Sequence, residues 1–205
     1  MQFLQTQQFQ PLVWVRYIDD IFFIWTHGEE HLELFLNDLN KFHPNLKFTY
    51  ESSEKNVAFL DLNVKLSNGS ITTDLHIKPT DRHQYLHFSL AHSDHTKRSI
   101  VYSQALRVSR ICSFEKDFKR HTTEMKSWFL NRGYPEWLIN KEIGKVKHQP
   151  NVSTRTKNKT QGVPLVITYH PLFKTFGSII RKHLNILYMN EEVKKVFSPC
   201  PMISF

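Results

Sequence analysis

The feature that most constrains the fold is a change of hydrophobic period part-way along the chain. Up to about residue 80, apolar side chains alternate or stand in short β-branched and aromatic runs, and beyond a histidine-rich connector they recur at helical spacing. Such a chain folds as a sheet-containing part followed by an all-helical part, an α+β arrangement. With 205 residues, 40% of them hydrophobic and 22% charged, it has enough apolar surface for one to two compact units and does not read as disordered.

The front part is legible in some detail. Residues 11–25 read PLVWVRYIDDIFFIW, two strand-like runs separated by Ile18, Asp19 and Asp20, so a hairpin with the two aspartates at its tip is expected. Thr26 and Glu29 fit a capping box, and Leu32, Phe35, Leu36 and Leu39 form one apolar helical face that stops before Pro44. Leu46, Phe48 and Tyr50 alternate as a strand. The run VAFLDLNVKL, the turn Asn68-Gly69 and SITTDLHIKP complete a small antiparallel sheet over residues 46–79.

Three helices are expected in the rear part, joined by short connections into a small bundle. The first spans about His95 to Cys112. Ser113 caps the second, with Phe114, Phe118, Met125 and Trp128 or Phe129 buried and Gly133 at its end. Pro135 opens the third, with Ile139, Ile143 and Val146 on one face. Residues 149–162 lack apolar periodicity and read as a basic linker. Val163–Tyr169 returns to strand character, Phe173–Tyr188 forms a last helix, and the tail SPCPMISF is extended. The expected divisions are 1–90, 91–148 and 149–205.

Charge narrows the function. The chain has a net charge of +8 and a pI near 9.5, unevenly spread. Residues 1–94 hold 7 basic and 12 acidic side chains, residues 95–148 hold 12 and 5, and residues 149–205 hold 8 and 2. An acidic front with paired aspartates and a basic rear suit a metal-dependent enzyme acting on nucleic acid. No apolar run approaches the roughly 20 residues needed to cross a bilayer, and no signal peptide is evident, so an intracellular protein of nucleus or cytoplasm with no membrane partner is expected. Cys112 and Cys200 have no CxxC spacing and read as ordinary thiols.

Nucleotidyl transfer needs divalent ions held by hard carboxylate oxygens. Asp19 and Asp20 at a hairpin tip would supply part of such a site, although aspartate is also common in turns for local hydrogen-bonding reasons. Preceded by Tyr17 and Ile18 they read YIDD, which matches the YxDD motif of reverse transcriptases. The blocks RYIDDIFFIW, FLDLNVKL, TDLHIKPTDRHQYLHFS, HTKRSIVYSQALRVSRICS, NRGYP and VPLVITYHP resemble, in order, the C-terminal blocks of Penelope-like retroelement reverse transcriptases.

That resemblance implies a partial palm, an antiparallel sheet with a helix, followed by an all-α, helix-turn-helix-like thumb. It makes Asp19 and Asp20 the catalytic, Mg²⁺-binding aspartates of the intact parent enzyme and sets Tyr17 near the incoming nucleotide. Phe59, Leu60 and Asp61, followed by Leu62, resemble the primer grip. The implied partners are an RNA template, a DNA primer and deoxynucleotides. The family's first catalytic aspartate and fingers lie before YIDD and its GIY-YIG nuclease lies after the thumb; no residue here takes those roles. The chain is therefore expected to be a fragment that is inactive alone. The alternative is a non-catalytic helix-turn-helix nucleic-acid-binding protein derived from such an element.

Residues 95–147 resemble the thumb of these polymerases, a region also described in animal proteins as a helix-turn-helix domain. Lys97, Arg98, Arg107, Arg110, Lys116, Lys119 and Arg120 cluster there as expected phosphate contacts, the competing reading being a merely solvated face. His83 with His87, and His92 with His95, have spacing a zinc site could use, but without accompanying cysteines. Trp14, Trp25, Trp128 and Trp137 suit core, partner or base-stacking roles equally well on sequence alone.

Overall fold

The computed structural model describes residues 2–67, 69–150, 164–166, 168–170, 173–197 and 202–204. It is a mixed α+β chain of two compact units, residues 1–80 and 81–205.

In the first unit the apolar runs around YIDD pair as expected. Strands β1 (Val13–Tyr17) and β2 (Asp20–Ile24) form an antiparallel hairpin whose loop residues are Ile18 and Asp19. One face of the hairpin carries Trp14 and Phe23, stacked at 5.5 Å. Both pack on helix α2 (Glu29–Phe42), which buries Leu32, Phe35, Leu36 and Leu39 as its periodicity required. A short turn of helix, α1 (Gln2–Gln5), adds Phe3 to this cluster, its ring 5.4 Å from Phe35. The hairpin's other face leaves Val13 and Val15 exposed.

The start of α2 differs from expectation. Its N-cap is Gly28, at φ 83°, and no side chain caps it, so Thr26 and Glu29 form no capping box. The indole of Trp25 donates to the Gly28 carbonyl at 2.8 Å and thereby holds the approach to the helix. Glu29 and Glu30 offset the positive end of the helix dipole in place of a cap.

Strands β3 (Asn56–Phe59), β4 (Leu62–Ser67) and β5 (Ser70–Leu75) make an antiparallel meander. Ser67 pairs with Ser70, which closes the expected two-residue turn. Gly69 there has φ 74°, and Asn68 lies outside the described residues. The expected strand at Leu46, Phe48 and Tyr50 is absent. That segment joins no ladder, because the Asn40 side chain occupies the backbone of Phe48: it accepts from the amide at 2.6 Å and donates to the carbonyl at 3.1 Å. Leu46 and Tyr50 are exposed while Phe48 packs on the core. Each such hydrogen bond contributes about 1 kcal/mol net. Asn40→Ala is therefore expected to lower hydrogen-exchange protection of the Phe48 amide at least about fivefold. Unaltered protection would show that something other than Asn40 holds this segment.

In the second unit, helices α3 (Asp94–Ile111), α4 (Glu115–Asn131) and α5 (Glu136–Gly144) pack pairwise into the expected bundle. Val101, Ala105, Val108, Cys112, Met125, Phe129 and Ile139 fill its interior. Ser93 caps α3, its hydroxyl accepting from the Thr96 amide at 3.2 Å. Helix α4 has Phe114 rather than Ser113 at its N-cap, with no side-chain capping bond; Glu115 and Asp117 in the first turn complement the dipole. Phe114, expected in the buried stripe, is exposed. Of the alternatives Trp128 and Phe129, Phe129 is fully buried. Gly133, at φ 76°, reverses the chain after α4. A Cβ there would meet the His87 ring at 3.3 Å, a second reason for glycine.

Residues 81–93 are more than a connector. His83 stacks on Trp128 at 3.5 Å, Tyr85 stacks on Phe129 at 4.6 Å, and Phe88 touches Tyr134 at 5.2 Å. Arg132 ties the segment down further, its Nε donating to the Tyr85 carbonyl at 2.7 Å and its carbonyl accepting from the Phe88 amide at 2.9 Å. Aromatic pairs and these bonds clamp it along α4 as a strap.

Past the bundle, the basic linker and Cys200 fall mostly or wholly outside the described residues. Strand β6 (Pro164–Val166) pairs in parallel with β7 (Met202–Ser204). The single last helix expected over Phe173–Tyr188 is broken at His183 into α6 (Phe173–Lys182) and α7 (Leu184–Leu187), and a further helix, α8 (Glu191–Phe197), follows.

Candidate nucleic-acid interface

Two groups of cations in the bundle are set by the chain reversals. One group surrounds the junction between α3 and α4. Arg110 sits in the last turn of α3 and Lys116 in the first turn of α4, separated by the short connection Cys112–Phe114. The segment after α5 returns to this same end. Ser109, fully buried, donates to the Lys147 carbonyl at 2.9 Å and accepts from the Gln149 amide at 3.1 Å, and His148 bonds the Cys112 carbonyl at 2.9 Å. The backbone of Lys147 is thereby held at the end of α3 that carries Arg110.

Compensation by carboxylates decides which charges remain available. On α4, Lys119 pairs with Glu115 at 2.8 Å, and Arg120 lies 3.4 Å from Asp117 and 3.8 Å from Glu124. The bond from Lys119 holds the Glu115 carboxyl below its usual range. Lys116, Lys119 and Arg120 do share the solvent face of α4 at i, i+3 and i+4 spacing, but two of the three are neutralised along the helix. Arg98, Arg110, Lys116, Lys141 and Lys147 have no carboxylate partner among the described residues. Lys116 instead places its ammonium 5.4 Å over the exposed Phe114 ring. Arg107, half-buried on α3, donates to Gln104 at 3.4 Å, and its positive charge acts on Tyr85. Burial of Tyr85, and then Asp81, nonetheless push that phenol above its ordinary value.

The second group stands at the other end of the bundle. Lys97 and Arg98 lie in the first turns of α3, about 20 Å from Arg110 along the helix. Lys97 rests 4.9 Å over Phe88, whose ring touches Tyr134 in the turn between α4 and α5, so its charge lies beside that turn. The seven cations named from sequence thus form no single patch: Lys97 and Arg98 stand at one end, Arg110 and Lys116 at the other, with Lys119 and Arg120 on α4 and Arg107 set apart beside Gln104. Lys141 and Lys147, not among the seven, belong to the candidate surface. Their charge was visible in the sequence; their lack of a partner was not.

In the first unit the YIDD hairpin exposes Tyr17, Ile18, Asp19 and Asp20. Tyr17 pairs directly with Asp20 and so shares its face of the hairpin. Ile18 has φ 52°, a left-handed backbone that costs a β-branched residue on the order of 1–3 kcal/mol, and Arg16 braces it by donating from Nε to the Ile18 carbonyl at 2.8 Å. Phe59 approaches this hairpin through Phe22 at 5.6 Å. Leu60 and Asp61 form the two-residue loop between β3 and β4, with Leu60 at φ 56°. The two aspartates offer the hard oxygens Mg²⁺ prefers. Among the described residues no third ligand side chain joins them, so they do not complete a metal site.

The four spaced histidines are not gathered with a third ligand either. His83 stacks on Trp128 with Nδ1 3.4 Å from Asp81, and His87 bonds Ser89 at 2.8 Å. Structure separates the tryptophans where sequence could not. Trp14 and Trp25 pack on the first core, Trp128 lies under His83, and Trp137 is 60% exposed. Among the described residues no helix is long and apolar enough to cross a membrane.

Three helices with a four-residue, glycine-containing turn between the last two define a helix-turn-helix unit. Residues 84–144, from the strap through α5, match the family model of the animal helix-turn-helix domain. No curated protein and no solved structure gives a significant match to the chain.

Proposed function

We propose that this chain binds nucleic acid through its helix-turn-helix unit, chiefly by backbone phosphates. The observation that carries the reading is the grouping of Arg110, Lys116 and Lys147, all without carboxylate partners, at the α3–α4 junction. In sequence Arg155, Lys157 and Lys159 follow soon after. Cations left unpaired in this way can displace condensed counterions from a polyanion, whereas ion-paired ones have less to gain. Such contacts supply affinity with little sequence information. The test is binding of the full chain to a fluorescent RNA–DNA hybrid as salt is varied.

A second reading, favoured by the YIDD hairpin, is that the chain is part of a retroelement reverse transcriptase. Its support is the exposed Asp19 and Asp20 on a strained, Arg16-braced tip, with Tyr17 on the same face as Asp20 and the Phe59–Leu60–Asp61 loop close by through Phe22. On this reading an RNA template, a DNA primer, deoxynucleotides and Mg²⁺ are the partners of the intact enzyme. Two-metal transfer requires a carboxylate set that spans both ions. The chain is accordingly expected not to extend a primer on an RNA template with Mg²⁺ or Mn²⁺. Extension by the pure chain, abolished in Asp19→Ala, would establish that the carboxylates present suffice.

A further inference from the structure

Helix α5 is acidic in sequence, EWLINKEIG, yet its outward face is not. Glu136 is bonded by Lys126 at 2.6 Å across from α4, a contact that keeps its carboxyl below the usual range. Glu142 is buried and paired with Lys145. Leu138, Ile139 and Glu142 turn inward. What faces solvent, at i, i+3 and i+4 spacing, is Trp137, Asn140 and Lys141, all exposed, with Lys141 carrying the helix's one uncompensated charge among the described residues. An open indole and an ammonium are thus presented on the second helix of a helix-turn-helix unit, with the Asn140 amide between them hydrogen-bonded to the Glu136 carboxylate, and Lys97 stands beside the turn that leads into it.

We infer that this face holds an unpaired base of single-stranded nucleic acid, with Trp137 stacking on the base and Lys141 contacting the adjacent phosphate. The inference rests on the nucleic-acid-binding reading above. It adds that the exposed face of α5 takes a single strand. Charge complementarity favours this occupant, since every carboxylate of α5 is already paired. The indole favours an unpaired base over a duplex, because bases inside a duplex present only their edges and an aromatic platform needs a free π-face. With one cation on a helix about 13 Å long, α5 has little to hold a duplex backbone by itself.

The experiment measures binding of the full chain to fluorescent dT and rU oligonucleotides of about 16 nucleotides, the two arms separating DNA from RNA. Trp137→Ala is expected to weaken binding to at least one of them about tenfold or more, the scale of a lost base stack, without changing the salt slope. Trp137→Phe should recover most of the affinity. Ligand-induced quenching of tryptophan fluorescence should largely disappear in Trp137→Phe even where binding persists. Lys141→Ala should flatten the salt slope by about one unit or less. If the wild-type chain binds the RNA–DNA hybrid in a salt-dependent way but the oligonucleotide affinities and the quench are unaltered in the Trp137 variants, this inference fails while the broader reading stands. The same result is expected if the face is reserved for another protein. If the chain binds neither hybrid nor oligonucleotide, both fail.

Discussion

Phe129→Ala is expected to destabilise the helical unit by about 3–5 kcal/mol. Phe129 has no solvent exposure and sits where the strap, α4 and the turn meet. Its ring stacks on Tyr85 at 4.6 Å and meets Tyr134 edge-on at 5.1 Å, and its carbonyl accepts from the amides of Arg132 and Tyr134 at 3.0 and 3.1 Å. Truncating a fully buried phenylalanine costs about 3–5 kcal/mol, the lost transfer free energy plus the cavity left behind. Domain stabilities are of the order of 5–15 kcal/mol, so the loss takes a large share of the total. Leu130→Ala, one position on but 42% exposed, makes the control and should cost under about 1 kcal/mol. Denaturant unfolding of the full chain followed by helical circular dichroism measures both. Equal midpoints for the two variants would show that the strap and the turn do not converge on Phe129 as described.

The same site shows what the sequence could reveal and what it could not. Helical spacing marked the three helices to within a few residues, and the i, i+3, i+4, i+7 pattern of Leu32, Phe35, Leu36 and Leu39 became the buried face of α2, because these patterns report local periodicity directly. The strap left no such trace. His83, Tyr85 and Phe88 follow neither helical nor strand spacing, and their partners Trp128, Phe129 and Tyr134 lie more than forty residues away. The missing strand at Leu46–Tyr50 has a similar cause: alternation was present, but a single side chain, Asn40, captured the backbone that a neighbouring strand would have paired. Caps at Thr26 and Ser113 failed because a glycine at positive φ and acidic first turns did the work instead.

The candidate interface was legible as charge and illegible as geometry. A count of Lys and Arg selects the bundle, yet whether Lys119 or Lys116 remains available depends on Glu115 lying one turn before Lys119. Lys147 joined Arg110 only through Ser109 and His148, whose bonds bring residues 147–149 back to the end of α3. Asp19 and Asp20 were placed at a hairpin tip by pattern alone; Asp19 lies in the two-residue loop, while Asp20 opens β2 and pairs with Tyr17. The strain at Ile18 had no sequence signal, since a β-branched residue is among the least expected at a left-handed turn position.

The central claim, that unpaired cations at the α3–α4 junction bind nucleic acid, is tested most directly by a salt titration of the full chain and its Arg110→Ala/Lys116→Ala variant on a fluorescent RNA–DNA hybrid. If about four to six cations reach phosphates, log affinity falls against log salt with a slope of roughly −3 to −5. A fourfold rise in salt then weakens binding by about 60- to 1,000-fold. Both substitutions are on the surface and leave the core intact, so helicity should be unchanged while the slope flattens by up to about two units. A wild-type affinity that does not depend on salt, or an identical slope in the double variant, would contradict the account.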